Sequence, residues 1–243
     1  MTQFRYGRVI LEPFPEDWSR GLAVVAHPDD LEYGAASAIV RWTDQGKDIR
    51  YVLVTRGEAG LDIPPDETGP LREAEERASA AVVGVDTVEF LDHRDGVVEA
   101  GLELRRDLAR AIRRHRPEVI ISINFRESFG GTSFNMADHR NVGIALLDAS
   151  RDAGNRWIFP ELLDEGHEPW SGVRIVGFSG SPDATHAVDV ADHLERGIES
   201  LEQHRAYLDH VDVDAREMLT GFARSSGGAA GLDLAVGFEA VEP

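Results

Sequence analysis

The sequence predicts an α/β fold: a Rossmann-like, mostly parallel sheet with helices on both faces. Three observations carry that expectation. Short apolar runs alternate with helix-length segments along most of the chain, the pattern of successive βαβ units. The first of them, GLAVVA, is a short apolar run, as a strand buried on both faces should be. Most of them end in loops rich in Gly, Pro, Asp or His, which punctuate such units.

The elements follow in order. GLAVVA, residues 21–26, is the first strand, and residues 31–45 form a helix that stops near Gly46. IRYVLVT, 49–55, is a second strand rich in β-branched residues, which suit a pleated surface. Residues 56–70 read as a loop, and 71–83 as a helix stopped by Gly84. TVEFL, 87–91, is the third strand; 102–115 is an arginine-rich helix ended by Pro117, since proline excludes helix from the residue before it. EVIISIN, 118–124, is the fourth strand, followed by a polar loop, 126–138, and a helix, 141–153. VRIVGFS, 173–179, is the fifth strand, and 188–208 reads as one long helix. SSGGAAG, 225–231, has the composition of a flexible linker. Residues 1–243 read as one domain, with a core of about 21–209 and a C-terminal extension of about 210–243, since a chain of this size supports one sizeable core.

Bulk composition excludes several functions. The formal net charge is −19, and such a surface repels phosphate backbones, so nucleic acid is not an expected partner. With no cysteine, there is no disulfide, thiolate metal site or thiol nucleophile. No apolar run is long enough for a membrane span. The N-terminus lacks the apolar core of a signal peptide, and the expected location is the cytoplasm. A homo-oligomer is compatible with this composition. A nucleotide-binding reading of the sheet lacks a GxGxxG turn after the first strand.

Active sites of parallel sheets lie beyond the carboxyl ends of the strands. Two loops at that edge hold chemistry. AHPDDLEYG places His27, Asp29 and Asp30 after the first strand, and MADHRNVG places Asp138 and His139 after the fourth. An Asp-rich turn before a helix is also an ordinary N-cap, so the first motif alone leaves both readings open. Two His/Asp pairs on one sheet edge can converge on a divalent cation, for which imidazole and carboxylate are suitable ligands.

With these motifs the sequence resembles the PIG-L, or LmbE-like, zinc deacetylases. The resemblance runs from about residue 21 to about 205. It includes AHPDDLE (26–32), TRGEAG (55–60), Arg72 and Glu75 before Gly84, FLDHRDG (90–96), MADH (136–139) and LEQHR (201–205). It implies that His27, Asp30 and His139 ligate Zn2+, although a His/His/Asp set also suits Fe2+. It implies Asp29 as general base to a metal-bound water, Asp138 as an orienter of the site, and Arg72 and Asp95 as contacts to substrate hydroxyls. The implied reaction is removal of an acetyl group from an N-acetyl amino sugar of glucosaminyl type, or from a related small amide. Rival readings are an amidase acting on a thiol conjugate or an antibiotic sugar, and a catalytically weakened sugar- or metal-binding homologue.

One position departs from the family pattern. Met136 stands where the motif usually has a histidine that serves the oxyanion or the leaving amine, and methionine has no proton to donate. Asn135, and His186 from the loop after the fifth strand, are candidates to replace it. The simpler expectation is that Asp29 returns the proton it has taken.

Overall fold

The computed structural model describes residues 11–211 and 213–243, with the backbone of Phe4–Arg5 (β1) and Arg8–Val9 (β2), an antiparallel pair. The other strands are β3 (Glu12–Pro13), β4 (Arg20–Val25), β5 (Asp48–Leu53), β6 (Val88–Phe90), β7 (Val119–Ile123), β8 (Ile175–Ser179), β9 (His186–Asp189) and β10 (Ala235–Val241). These form one sheet in the order β3-β9-β10-β8-β7-β4-β5-β6. All pairings are parallel except those of β10, which is antiparallel to both β8 and β9.

The strand order fixes where a site can form. From β4 the chain proceeds outward through β5 and β6, then returns to place β7 on the other side of β4. The direction of winding therefore reverses between β4 and β7. At such a switch point the two following loops diverge to opposite faces and leave a crevice at the carboxyl edge.

Helices cover both faces. Along β4, Ala23 and Val25 face one layer while Leu22 and Val24 face the other, the two-residue period of a strand. The first layer is α1 (Asp30–Gly34), α2 (Ala36–Asp44), α3 (Pro65–Val82), α7 (Leu194–Leu201) and α9 (Ala215–Ala230), with Trp42, Ile39, Ile198 and Leu219 buried against the sheet. The second is α4 (Leu102–His115) and α5 (Ala137–Asp152), packed through Leu104, Leu108, Ile112 and Leu146. Full burial of each such side chain contributes about 1.5–3 kcal/mol. Two short helices, α6 (Glu161–Asp164) and α8 (Arg205–Val211), lie in connections. Among the described residues no helix is long and apolar enough to cross a membrane.

Several elements differ from the sequence-based expectation. The first helix is broken at Ala35, whose φ is −129°. Helix α3 begins at Pro65, inside the segment expected to be loop, because proline is well suited to a first helical turn. The expected long helix 188–208 is instead the end of β9, then α7, a break, and α8. Residues 225–230 belong to α9, and β10 enters the sheet between β8 and β9, so the C-terminal segment is part of the core sheet. The arginines of α4 are not a bare solvated face. Arg113 is buried and donates to the carbonyls of Ala153, Asn155 and Ile158, while Arg105 pairs with Asp152.

Helices α2 and α7 meet at Gly197, where an added Cβ would lie 3.0 Å from the backbone nitrogen of Ser37 and 3.1 Å from its Cα. Alanine in a helix is favoured over glycine by about 1 kcal/mol. Overpacking against a backbone that cannot move aside costs ~1–3 kcal/mol, so the steric term should win. Gly197→Ala is expected to lower the urea midpoint without changing the m-value; a raised midpoint would show that the two helices have room to separate.

Candidate metal centre

β4 ends at Val25, and the next residues turn the chain into α1. The turn is closed by Asp30, whose Oδ2 accepts the backbone N–H of Ala26 at 3.1 Å and of His27 at 2.9 Å. Asp29 adopts φ 81°, in the left-handed region. Its carboxylate takes another direction, accepting from Arg72 Nη2 at 2.8 Å. Arg72 also donates to the carbonyls of Pro28 and Gly57, and its guanidinium stacks 4.4 Å from the Tyr207 ring centroid. Two adjacent carboxylates are thus held apart for different uses.

The loop after β7 supplies the other half. Asn135 is wholly buried and donates through Nδ2 to the carbonyls of Asn124 and Arg126. That fixes its Oδ1 as an acceptor, 2.9 Å from His139 Nδ1. His139 therefore carries its proton on Nδ1 and presents a lone pair at Nε2. His139 Nε2 is buried without a hydrogen-bond donor and lies 3.0 Å from Asp30 Oδ1. Two lone pairs so close repel unless a cation or proton lies between them.

His27 is arranged in the same manner. Its Nε2 lies 3.0 Å from Asp95 Oδ1 and 3.3 Å from Asp138 Oδ2. Those carboxylates are themselves fixed, Asp138 by the N–H groups of Gly96 and Val98 and Asp95 by that of Ala59. A proton on Nε2 leaves the Nδ1 lone pair, 3.5 Å from Asp30 Oδ2, facing the same space as His139 Nε2. His27, Asp30 and His139 each offer a ligand atom, all within 4.8 Å of one another. Both imidazoles have a fixed acceptor on the outer nitrogen, the usual arrangement for metal-binding histidines.

The electrostatics make the same demand. Burial opposes a charge on His27, yet Asp30, Asp138 and Asp95 raise its pKa well above that of ordinary histidine. Burial would raise Asp30, but the adjacent His139 and His27 hold it far below the usual carboxylate range. Burial pushes Asp29 up to about 7 against the pull of Arg72, and Asp30 adds to the rise. The cluster is short of positive charge at the point where the three ligand atoms converge. A divalent cation fits this donor set.

The structure brings together His27, Asp29, Asp30, Arg72, Asp95, Asp138 and His139 and leaves His186 out. His186 begins β9, four strand positions from β4, or about 19 Å at the usual strand spacing. Its ring packs on Phe14 and its Nδ1 bonds Thr185 Oγ1. The expectation that it could reach the site is corrected, because β10 is inserted between β8 and β9. Asn135 is corrected too, since both its N–H groups are committed to carbonyls. Arg72 and Asp95, expected to contact substrate, direct their polar atoms to Asp29 and His27 instead. Met136 precedes α5 and is exposed, as are Phe134 and Phe129 on the same loop. Sequence reasoning missed Asn135 as the partner of His139, and missed the buried Glu32, Glu76 and His204 below Asp29. Polar residues within otherwise apolar helix faces were the available signal.

Residues 22–150 match the family of GlcNAc-PI de-N-acetylases, PIG-L. The chain is 29% identical over 200 residues to diacetylchitobiose deacetylase of Thermococcus kodakarensis, covering 81% of this chain and 73% of that protein. Among solved structures it resembles the N,N'-diacetylchitobiose deacetylase of Pyrococcus horikoshii, with TM-score 0.85 and 23% identity over 93% of this chain and 85% of that one. It also resembles the 4-carboxy-2-hydroxymuconate hydratase of Pseudomonas putida, with TM-score 0.74 and 21% identity over 93% and 97%. The fold therefore hosts more than one chemistry.

The alignment of His139 by Asn135 has a measurable consequence. Asn135→Ala should weaken affinity for zinc ions by roughly 10–100-fold, the usual effect of removing such a partner, read by competition against a chelator. Unchanged affinity would show that the imidazole is oriented by packing alone.

Proposed function

The chain belongs to the PIG-L family, and from that premise we propose that it is a metal-dependent hydrolase removing an acetyl group from the nitrogen of a glucosamine-type sugar. The observation that carries the reading is the pair of imidazoles, each tied at its outer nitrogen, with inner nitrogens that face the two carboxylate oxygens of Asp30, beside a second carboxylate held to Arg72. His27, Asp30 and His139 would hold the ion. A bound divalent cation, zinc by family resemblance, supplies Lewis acidity that polarises a carbonyl and makes water more acidic.

The remaining work belongs to the chain's own groups. Asp29 is the general base: it takes the proton of the attacking water at its carboxylate, while Arg72 fixes its direction. The amide nitrogen must then be protonated before the C–N bond breaks. His186 is too far and Asn135 has no free N–H, so Asp29 returns the proton it took. One carboxyl acting as base and then acid closes the proton balance and makes the histidine missing at Met136 unnecessary. Asp138 and Asp95 hold His27 in the tautomer the site requires. Phe129 and Phe134 are exposed on the loop between β7 and α5 that also carries Asn135, and exposed aromatic faces there would suit the apolar face of a sugar.

Acetate release across N-acetyl glucosaminides, including chito-oligosaccharides and glucosaminyl conjugates, should identify a substrate, with metal content measured on the same sample. Hydration of an unsaturated carboxylate with no acetate release would instead favour the chemistry of the hydratase-like neighbour. Asp29→Ala should keep its metal yet lose roughly 10²–10⁴-fold in kcat, the usual worth of a general base. His139→Ala should lose most of its metal. His186→Ala should leave kcat unchanged; a large loss at constant metal content would move the acid role away from Asp29.

A further inference from the structure

The geometry points to Glu76 as a positioning residue that holds Asp29 in its left-handed conformation, so that the base is aimed before substrate arrives. This inference rests on the reading of Asp29 as the base. The left-handed region is disfavoured for L residues by up to roughly five- to thirtyfold, less for aspartate than for most, and Asp29 sits there at φ 81°. Something must offset that preference. Arg72 grips the carboxylate, and Glu76 Oε2 accepts the Asp29 backbone N–H at 3.2 Å. Arg72 and Glu76 are four residues apart on α3, hence on one face. Rather than pairing with each other, they grip Asp29 at two points one helical turn apart.

Glu76 lies over a second buried polar cluster, whose closest approaches to it are beyond hydrogen-bond distance. It is 1% exposed, a costly place for a carboxyl unless its oxygens are needed. His204 Nε2 lies between Glu76 Oε2 at 3.7 Å and Glu32 Oε2 at 3.6 Å, and Ser79 Oγ donates to Glu32 Oε1 at 2.6 Å. His204 is wholly buried in the break between α7 and α8. A purely space-filling role at position 76 would be met by an apolar side chain. What glutamate provides, and glutamine keeps, is an acceptor for the Asp29 N–H.

The test compares Glu76→Gln with Glu76→Met in the metal-loaded full-length protein. Methionine has similar volume and no comparable acceptor. With the N–H left unpaired, Glu76→Met should lose roughly 10–100-fold in kcat, with KM and metal content unchanged. Glu76→Gln should return to within about threefold of the parent, because its Oε1 still accepts. A glutamine variant as slow as the methionine variant, or a methionine variant with full kcat, would overturn the proposal. So would two metal ions per chain in the parent with one lost in Glu76→Gln, since Glu32, Glu76 and His204 would then be a cation site. Asp29→Ala is measured alongside. If it remains active, the assignment of the base fails; if it is inactive while Glu76→Met is fully active, the base stands and only the brace fails.

Discussion

Buried negative charge at the end of β4 is the constraint to which the surrounding structure answers. Asp29, Asp30, Glu32, Glu76 and Asp138 are all at most 6% exposed, and uncompensated burial of even one carboxylate is prohibitive. Each element nearby contributes a donor. The end of β4 gives two N–H groups to Asp30, the loop after β6 gives two to Asp138, and α3 gives Arg72 to Asp29 and Ser79 to Glu32. After these donors are assigned, the imidazoles of His27 and His139 remain, with ring nitrogens turned toward Asp30. A fold that left this space without positive charge would be unstable there, which ties stability of the turn to occupation of the site.

The strands were legible in the sequence because strands buried on both faces are dominated by apolar and β-branched residues, as β4, β5 and β7 are over their buried lengths. The later chain was less legible for a physical reason. Leu194, Ile198 and Leu201 keep a helical period that conceals both the short strand before them and the break after them. The small residues of 225–230 have the composition of a linker, yet in α9 they permit close approach: a Cβ on Gly227 would lie 2.7 Å from the carbonyl oxygens of Leu232 and Asp233. Composition alone does not separate a glycine that frees the chain from one that lets two backbones touch. β10 pairs with β9 and β8, whose partner residues lie 46 to 65 positions earlier, and no local pattern encodes those partners.

The same division holds at the site. His27, Asp29, Asp30, Asp138 and His139 were readable because they stand where strands end, and strand ends are local. His186 was misplaced because its distance from β4 depends on strand order, which is not local. Arg72 and Asp95 were read as contacts to substrate hydroxyls; the contacts that the crowding of carboxylates and imidazoles gives them, to Asp29 and His27, were not readable from spacing. Glu76 and His204 became meaningful only when α3 and the end of α7 were found beneath the same turn.

The left-handed residue explains how two neighbouring aspartates acquire opposite characters. Had residue 29 continued into the helix, both carboxyl groups would have entered one N-terminal turn and competed for the same donors. The positive φ separates them. Asp30 keeps the turn's N–H groups and the two histidines, whose proximity holds it ionised, as the proposed ligand role requires. Asp29 is directed to Arg72 within a buried environment that raises its affinity for a proton. In the proposed scheme a ligand must not take up the proton that a base must accept and release, and residue type alone does not separate two aspartates for those duties. Backbone conformation does so, at an energetic cost of at most about 1–2 kcal/mol. That cost is small beside the barrier reduction, about 3–5 kcal/mol, represented by a general base worth 10²–10⁴ in rate.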